Sequence, residues 1–116
     1  MAITEAYSGT STIGTTEWDL ASNTSFVADA DTTDGVFQVM LDVSALATAD
    51  EFVLCLYEKV TSGGTQRLVD SWAFLGPQGT PHRVLPALIL LHGWAFTLQK
   101  TAGTDRSITW SIRSVA

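Results

Sequence analysis

"EFVLCLYEKVTSGGTQRLVDSWAFL", residues 51–75, constrains how the remaining chain must be arranged. Phe52, Leu54 and Leu56 fall on one side of an extended chain, and Val53, Cys55 and Tyr57 fall on the other. Both sides are apolar near the middle, so the segment reads as a strand with neighbours on each flank. Thr61–Gln66 then supplies a turn around Gly63-Gly64, and "RLVDSWAFL" returns. Two such runs joined by a glycine-containing turn predict a β-hairpin.

The same period of two recurs outward from this hairpin. In "GVFQVMLDV", residues 35–43, Phe37, Val39, Leu41 and Val43 share a face. Towards the C-terminus Leu90, His92, Trp94, Phe96 and Leu98 share one face of a strand. "TAGTD" then turns, and Ile108, Trp110 and Ile112 share a face of "RSITWSIRSV". Bulky residues alternating with Ser and Thr mark half-buried antiparallel strands, so these two segments are expected to form a second hairpin. "STIGTTEWDL" is a weaker strand candidate, and "NTSFVADADTTD" reads as a polar loop with a short strand near Phe26. "SALATAD" is the one place for a helical turn, while Pro86 delays the next strand or confines it to an edge. The expectation is a single domain over residues 1–116: an all-β antiparallel sandwich of seven or eight strands, jelly-roll or immunoglobulin-like.

Charged residues make up 16% of the chain, against about 25% in an ordinary soluble domain. So little charge on a small domain implies that part of the surface is covered by another copy or a partner. The net charge of −6 offers no basic stripe to phosphates and argues against nucleic acid. Residues 1–58 carry −10 and residues 59–116 carry +4. Either strands of the two halves pair within one sandwich, or an acidic face meets a basic face of a neighbour. Cys55 stands alone and reads as a small buried hydrophobe, with no disulfide framework. "MAITEAYSGT" lacks the basic and apolar regions of a signal peptide. The apolar stretch from Val84 to Phe96, broken by Pro86 and His92, is too short for a membrane helix of about 20 residues.

The chemical motifs in this sequence are each incomplete. "PALILLHGWAF", residues 86–96, has the His-Gly of an α/β-hydrolase oxyanion strand, but no G-x-S-x-G elbow accompanies it and only 23 residues follow Gly93. His82, His92 and Cys55 have no zinc-ligand spacing, and both histidines read as structural. "DADTTDG", beginning at Asp29, places its third acid one residue late for a calcium loop and has Met40 at the twelfth position. It reads as a solvated turn before the strand at Val36. No catalytic residue, metal site or cofactor is expected. The candidate interface residues are Trp72 and Phe74, should their sheet face be open, the loop acids Asp29, Asp31 and Asp34, and Arg106 and Arg113 on the last strand. The plainer reading of the two arginines is solvated strand positions.

"YEKVTSGGTQRLV", "LQKTAGTDRSITWSIRSVA" and "ITEAYSGTSTIGTTEWDL" together span much of the chain. In these segments the sequence resembles small virion structural proteins of tailed bacteriophages. The resemblance implies a non-enzymatic component of the virion, made in the host bacterial cytoplasm: a capsid decoration or cement protein, or a small part of the neck, tail or fibre base. Its implied partners are further copies of itself and the major capsid or other virion proteins, with no nucleic acid and no membrane. A carbohydrate- or receptor-binding sandwich is the rival expectation. The resemblance carries over no functional residues.

Overall fold

The structure, a computed structural model, describes residues 2–26 and 31–115. Ten strands occur among them: β1 (Ile3–Ile13), β2 (Trp18–Asp19), β3 (Thr24–Ser25), β4 (Gly35–Asp42), β5 (Glu51–Glu58), β6 (Arg67–Leu75), β7 (His82–Val84), β8 (Leu88–Leu90), β9 (Ala95–Ala102) and β10 (Arg106–Val115). There is no helix among the described residues; "SALATAD" forms two tight turns, closed by Leu46 N–H to Val43 O and Asp50 N–H to Ala47 O. The strand count exceeds the expected seven or eight because β2, β3, β7 and β8 are only two or three residues long, below the reach of sequence periodicity.

All pairings are antiparallel. The first sheet runs β1-β10-β4, and β7 and β8 share the far side of β4. The second runs β3-β2-β9-β5-β6. The predicted hairpin is present as β5 and β6, and β5 lies between β9 and β6 as its two apolar faces imply. Phe52, Leu54 and Leu56 point into the core, opposite Phe37, Val39, Leu41, Ile108, Trp110 and Ile112 of the first sheet. Each fully buried aliphatic or phenyl side chain of this kind contributes about 1.5–3 kcal/mol.

The expected C-terminal hairpin is not formed. β9 pairs with β5 and β2 in the second sheet, while β10 pairs with β1 and β4 in the first. The connection at residues 103–105 is therefore an arch from one sheet to the other. The physical reason is plain: Phe96 and Leu98 meet Ile108, Trp110 and Ile112 in one core from opposite layers. Period-two alternation is the same for two strands side by side and for two strands face to face.

"LILLHGWAF" is likewise not one strand. Leu90 ends β8 in the first sheet, the chain crosses through Gly93 at φ +52°, and Ala95 begins β9 in the second. That left-handed backbone is the reason for a glycine here. Trp94 enters the core at the crossing, 4.8 Å from the Phe37 ring centroid and 5.8 Å from that of Phe96. Its backbone N–H donates to Asp31 O at 3.0 Å and its indole N–H to Thr33 O at 2.6 Å. His92 remains half-buried at the surface of the crossing.

Candidate interaction surface

Because its strands are in register, the outer face of the first sheet can be followed row by row. At one end Ile3 stands opposite Val115, Val115 opposite Val36, and Val36 opposite Ile89. Four apolar side chains thus form a line across β1, β10, β4 and β8. Ile3 is 69% exposed, Ile89 81% and Val115 36%, while Val36 is half-buried between its neighbours. A bulge between Glu5 and Tyr7 resets the alternation, which keeps Ile3 and Glu5 on the same face as Ser8, Thr10 and Thr12. The next rows are polar or mixed: Glu5-Arg113-Gln38, then Ser8-Ser111-Met40-Val84, then Thr10-Thr109-Asp42-His82.

The exposed apolar side chains gather at the end where this line lies. There the end of β5 meets the β8–β9 crossing: Glu58 accepts from Leu91 N–H at 2.7 Å, and Lys59 N–H donates to His92 O at 2.9 Å. Leu91, Val60, Leu68 and Val69 are all exposed at this end. Among the described large apolar side chains that are exposed, only Leu75 and Val84 lie elsewhere. Exposed apolar surface concentrated in this way is the mark of a contact surface, whereas isolated exposed side chains are ordinary.

The polar rows are tied internally. Ser111 donates to Glu5 at 2.6 Å, and Arg113 Nε donates to Ser111 Oγ at 3.2 Å. The Ser111 hydrogen bond, then one from Ser8, holds the Glu5 carboxyl below its ordinary range, with the Arg113 charge adding to the effect. Asp42 accepts from Ser44 N–H at 3.0 Å and lies 3.8 Å from His82 Nε2. Its carboxyl is also held low, chiefly by Ser44. Between these rows runs a shallow groove of about 460 Å³ lined by Ser8, Thr10, Met40, Thr109 and Arg113.

Of the residues singled out from the sequence, Arg113 lies on this surface. Arg106 does not: its Nε donates to Asp50 at 2.7 Å, and Asp50 is buried at the opposite end of the sandwich. Phe74 is 3% exposed and belongs to the core, with the Arg83 guanidinium 5.4 Å above its ring. The face bearing Trp72 and Phe74 is therefore not open. It turns inward at the margin between the sheets, where Trp72 is half-buried beside Leu85 and Pro86. Asp31 is half-buried and caps Thr33 N–H at 3.1 Å; Asp34 is exposed just before β4. Asp29 lies outside the described residues. Ile3, Val36, Ile89 and Val115 were not singled out, because only the register aligns four residues so distant in the chain.

Strands of the two halves pair within the sandwich, since β10 lies between β1 and β4 and β9 lies between β2 and β5, and Asp50 of the first half meets Arg106 of the second. Cys55 is not a core residue. It is half-buried on the outer face of the second sheet, opposite Thr97, where burial and then the Glu17 charge raise its thiol pKa. On the same face Glu17 accepts hydrogen bonds from Tyr57 and Thr97, and Phe26 stacks on Tyr57 with centroids 4.9 Å apart.

No protein-family model, no curated protein and no solved structure matches this chain.

Proposed function

We propose that this chain is a non-enzymatic structural protein of a tailed-bacteriophage virion, a decoration or cement protein that binds the assembled head. The observation that carries this reading is the apolar line Ile3-Val115-Val36-Ile89, together with the exposed apolar residues gathered at the same end. A protein that binds only the assembled lattice stabilises it by mass action, and contact with two neighbouring capsomers adds avidity. The low charge and the resemblance noted above favour the same role.

We also read the sandwich as a jelly-roll. If the two-residue β3, which only extends β2 at the edge, is set aside and β7 with β8 count as one strand, the sheet orders become first-eighth-third-sixth and second-seventh-fourth-fifth. That interleaving is what a long antiparallel ribbon gives when rolled into two layers, an architecture used widely in capsid proteins.

The test compares particles that carry the protein with particles that lack it. Carriers should survive heat and osmotic shock better, and Ile89→Asp should abolish binding to the particle. Since Ile89 is exposed, that substitution should change the stability of the isolated protein by no more than about 0.5 kcal/mol. Equal particle survival with and without the protein would end the cement reading. A copy number of a few to tens, in place of hundreds, would point to the neck or tail.

A further inference from the structure

The four outer margins of the two sheets are not alike. β3 is two residues long. β7 and β8 are three each, flanked by Pro81 and separated by Pro86. β6 carries Arg67 and Asp70 and a bulge where it pairs with Leu56 and Tyr57. Shortness, proline, charge and bulges are the usual ways a protein keeps a sheet edge from adding foreign strands.

β1 has little such protection. It runs for eleven residues without Lys, Arg or Pro, and its one charge, Glu5, precedes the bulge. From Tyr7 to Ile13 it is uncharged and in unbroken register with β10. Among the described residues no backbone hydrogen bond reaches its outer side.

We propose that this edge is a self-association site: two copies pair their β1 strands antiparallel about a two-fold axis at Thr10. The sequence "YSGTSTI" is self-complementary about that residue. Thr10 meets Thr10 of the second copy, Ser8 meets Thr12, Gly9 meets Ser11, and Tyr7 meets Ile13. Hydroxyl side chains then oppose hydroxyl side chains on the outer face, repeating the Thr10–Thr109 hydrogen bond of 2.8 Å already made to β10. Glu5 falls beyond the paired segment, so no like charges oppose. An isologous contact of this kind closes at two copies, and the self-complementary sequence favours a second copy over a strand donated by an unrelated protein.

The axis stands perpendicular to the sheet, so both outer faces point the same way. The dimer therefore presents two apolar lines on one broad side, at opposite ends. This deepens the virion reading by making the particle-binding unit bivalent, yet the two stand or fall separately. A monomer that still raises particle survival ends the pairing and leaves the virion role intact.

The experiment uses the full chain with Cys55→Ala as background. Opposed residues of antiparallel strands lie about 4.5–5.5 Å apart at Cα, within the range of a disulfide. Thr10→Cys should therefore give a covalent dimer on oxidation. Thr12→Cys alone should not, whereas Ser8→Cys with Thr12→Cys should. Thr10→Lys, which sets two cations on the axis, should lower the association constant in sedimentation velocity at least tenfold, while its circular-dichroism spectrum stays that of the folded parent. A chain that sediments as a monomer at every concentration, or a Thr10→Lys variant that dimerises like the parent, overturns the proposal. Cross-linking of Thr12→Cys alone as readily as Thr10→Cys overturns the register.

Discussion

Gly103 lies directly against Asp50, with its hydrogen pointing where any side chain would overlap the Asp50 carboxylate and Cα. It also holds φ at +88°, in the left-handed region that disfavours a Cβ. This contact brings the arch between β9 and β10 onto the turn before β5. Asp50 accepts from Thr104 N–H at 3.0 Å, Ala47 N–H at 2.8 Å and Arg106 Nε at 2.7 Å. Gly103→Ala should therefore cost about 3 kcal/mol in urea unfolding, from backbone strain plus overlap. Gly63→Ala, which meets nothing within 4 Å, should fall within about 0.5 kcal/mol of the parent.

The same carboxylate sets an acid limit. Hydrogen bonds from Thr104, Ala47 and Arg106 lower the Asp50 pKa from the usual value of 3.8 to about 2. A carboxyl whose pKa is lowered by folding adds stability above its unfolded pKa and loses it as pH falls through the folded one. Stability should thus decline between about pH 4 and pH 2. In urea titrations across this window Asp50→Asn should be less stable than the parent at neutral pH and show a shallower decline on acidification.

Gly9 and Trp110 should be coupled. A Cβ on Gly9 would lie 2.8 Å from Trp110 Cζ2, and the Trp110 indole N–H donates to Leu20 O at 2.9 Å. Gly9→Ala should destabilise the parent by about 1–3 kcal/mol through overpacking. Trp110→Phe should cost more, since it leaves a cavity and an unpaired carbonyl. In the double variant the shorter ring makes room for the methyl, so the combined loss should be smaller than the two losses added together.

Both tyrosines resist ionisation. Burial leads in raising the Tyr7 pKa, and burial followed by the hydrogen bond to Glu17 raises that of Tyr57. A raised folded pKa favours the neutral phenol, so this stability is complete below about pH 10 and lost above it. Tyrosinate absorbance should rise well above pH 10 and in step with unfolding. Tyr57→Phe should remove the hydrogen bond of 2.6 Å to Glu17 at a loss of about 1 kcal/mol.

The legible part of this fold is local. Alternation through Phe52–Tyr57 and the Gly63-Gly64 turn give the β5–β6 hairpin and the central place of β5, because both features are written within 25 consecutive residues. The arch at Gly103 was not legible. Trp110 and Phe96 alternate alike whether their strands share a sheet or face each other across the core, and Asp50, which fixes the choice, is more than fifty residues away. Phe74 misled because β6 is an edge strand whose inward face closes against Arg83 and Leu85. Among the candidate interface residues, Arg113 stands on the outer face of β10, the solvated strand position that its alternation with Ile112 implies. The apolar line was not found, since Ile3, Val115, Val36 and Ile89 become neighbours only when three separate registers are combined.

The pairing of Ile3 with Val115 also bears on when the protein can fold. β1 lies beside β10, with the paired Thr10 and Thr109 separated by 99 positions in the chain, and β4 likewise has β10 as its main partner. Sheet contacts of such sequence separation form slowly and late. During synthesis the second layer can assemble from β5 and β6, but the first layer lacks its middle strand until Val115 has left the exit tunnel. Until β10 has been made, β1 is open along both of its sides.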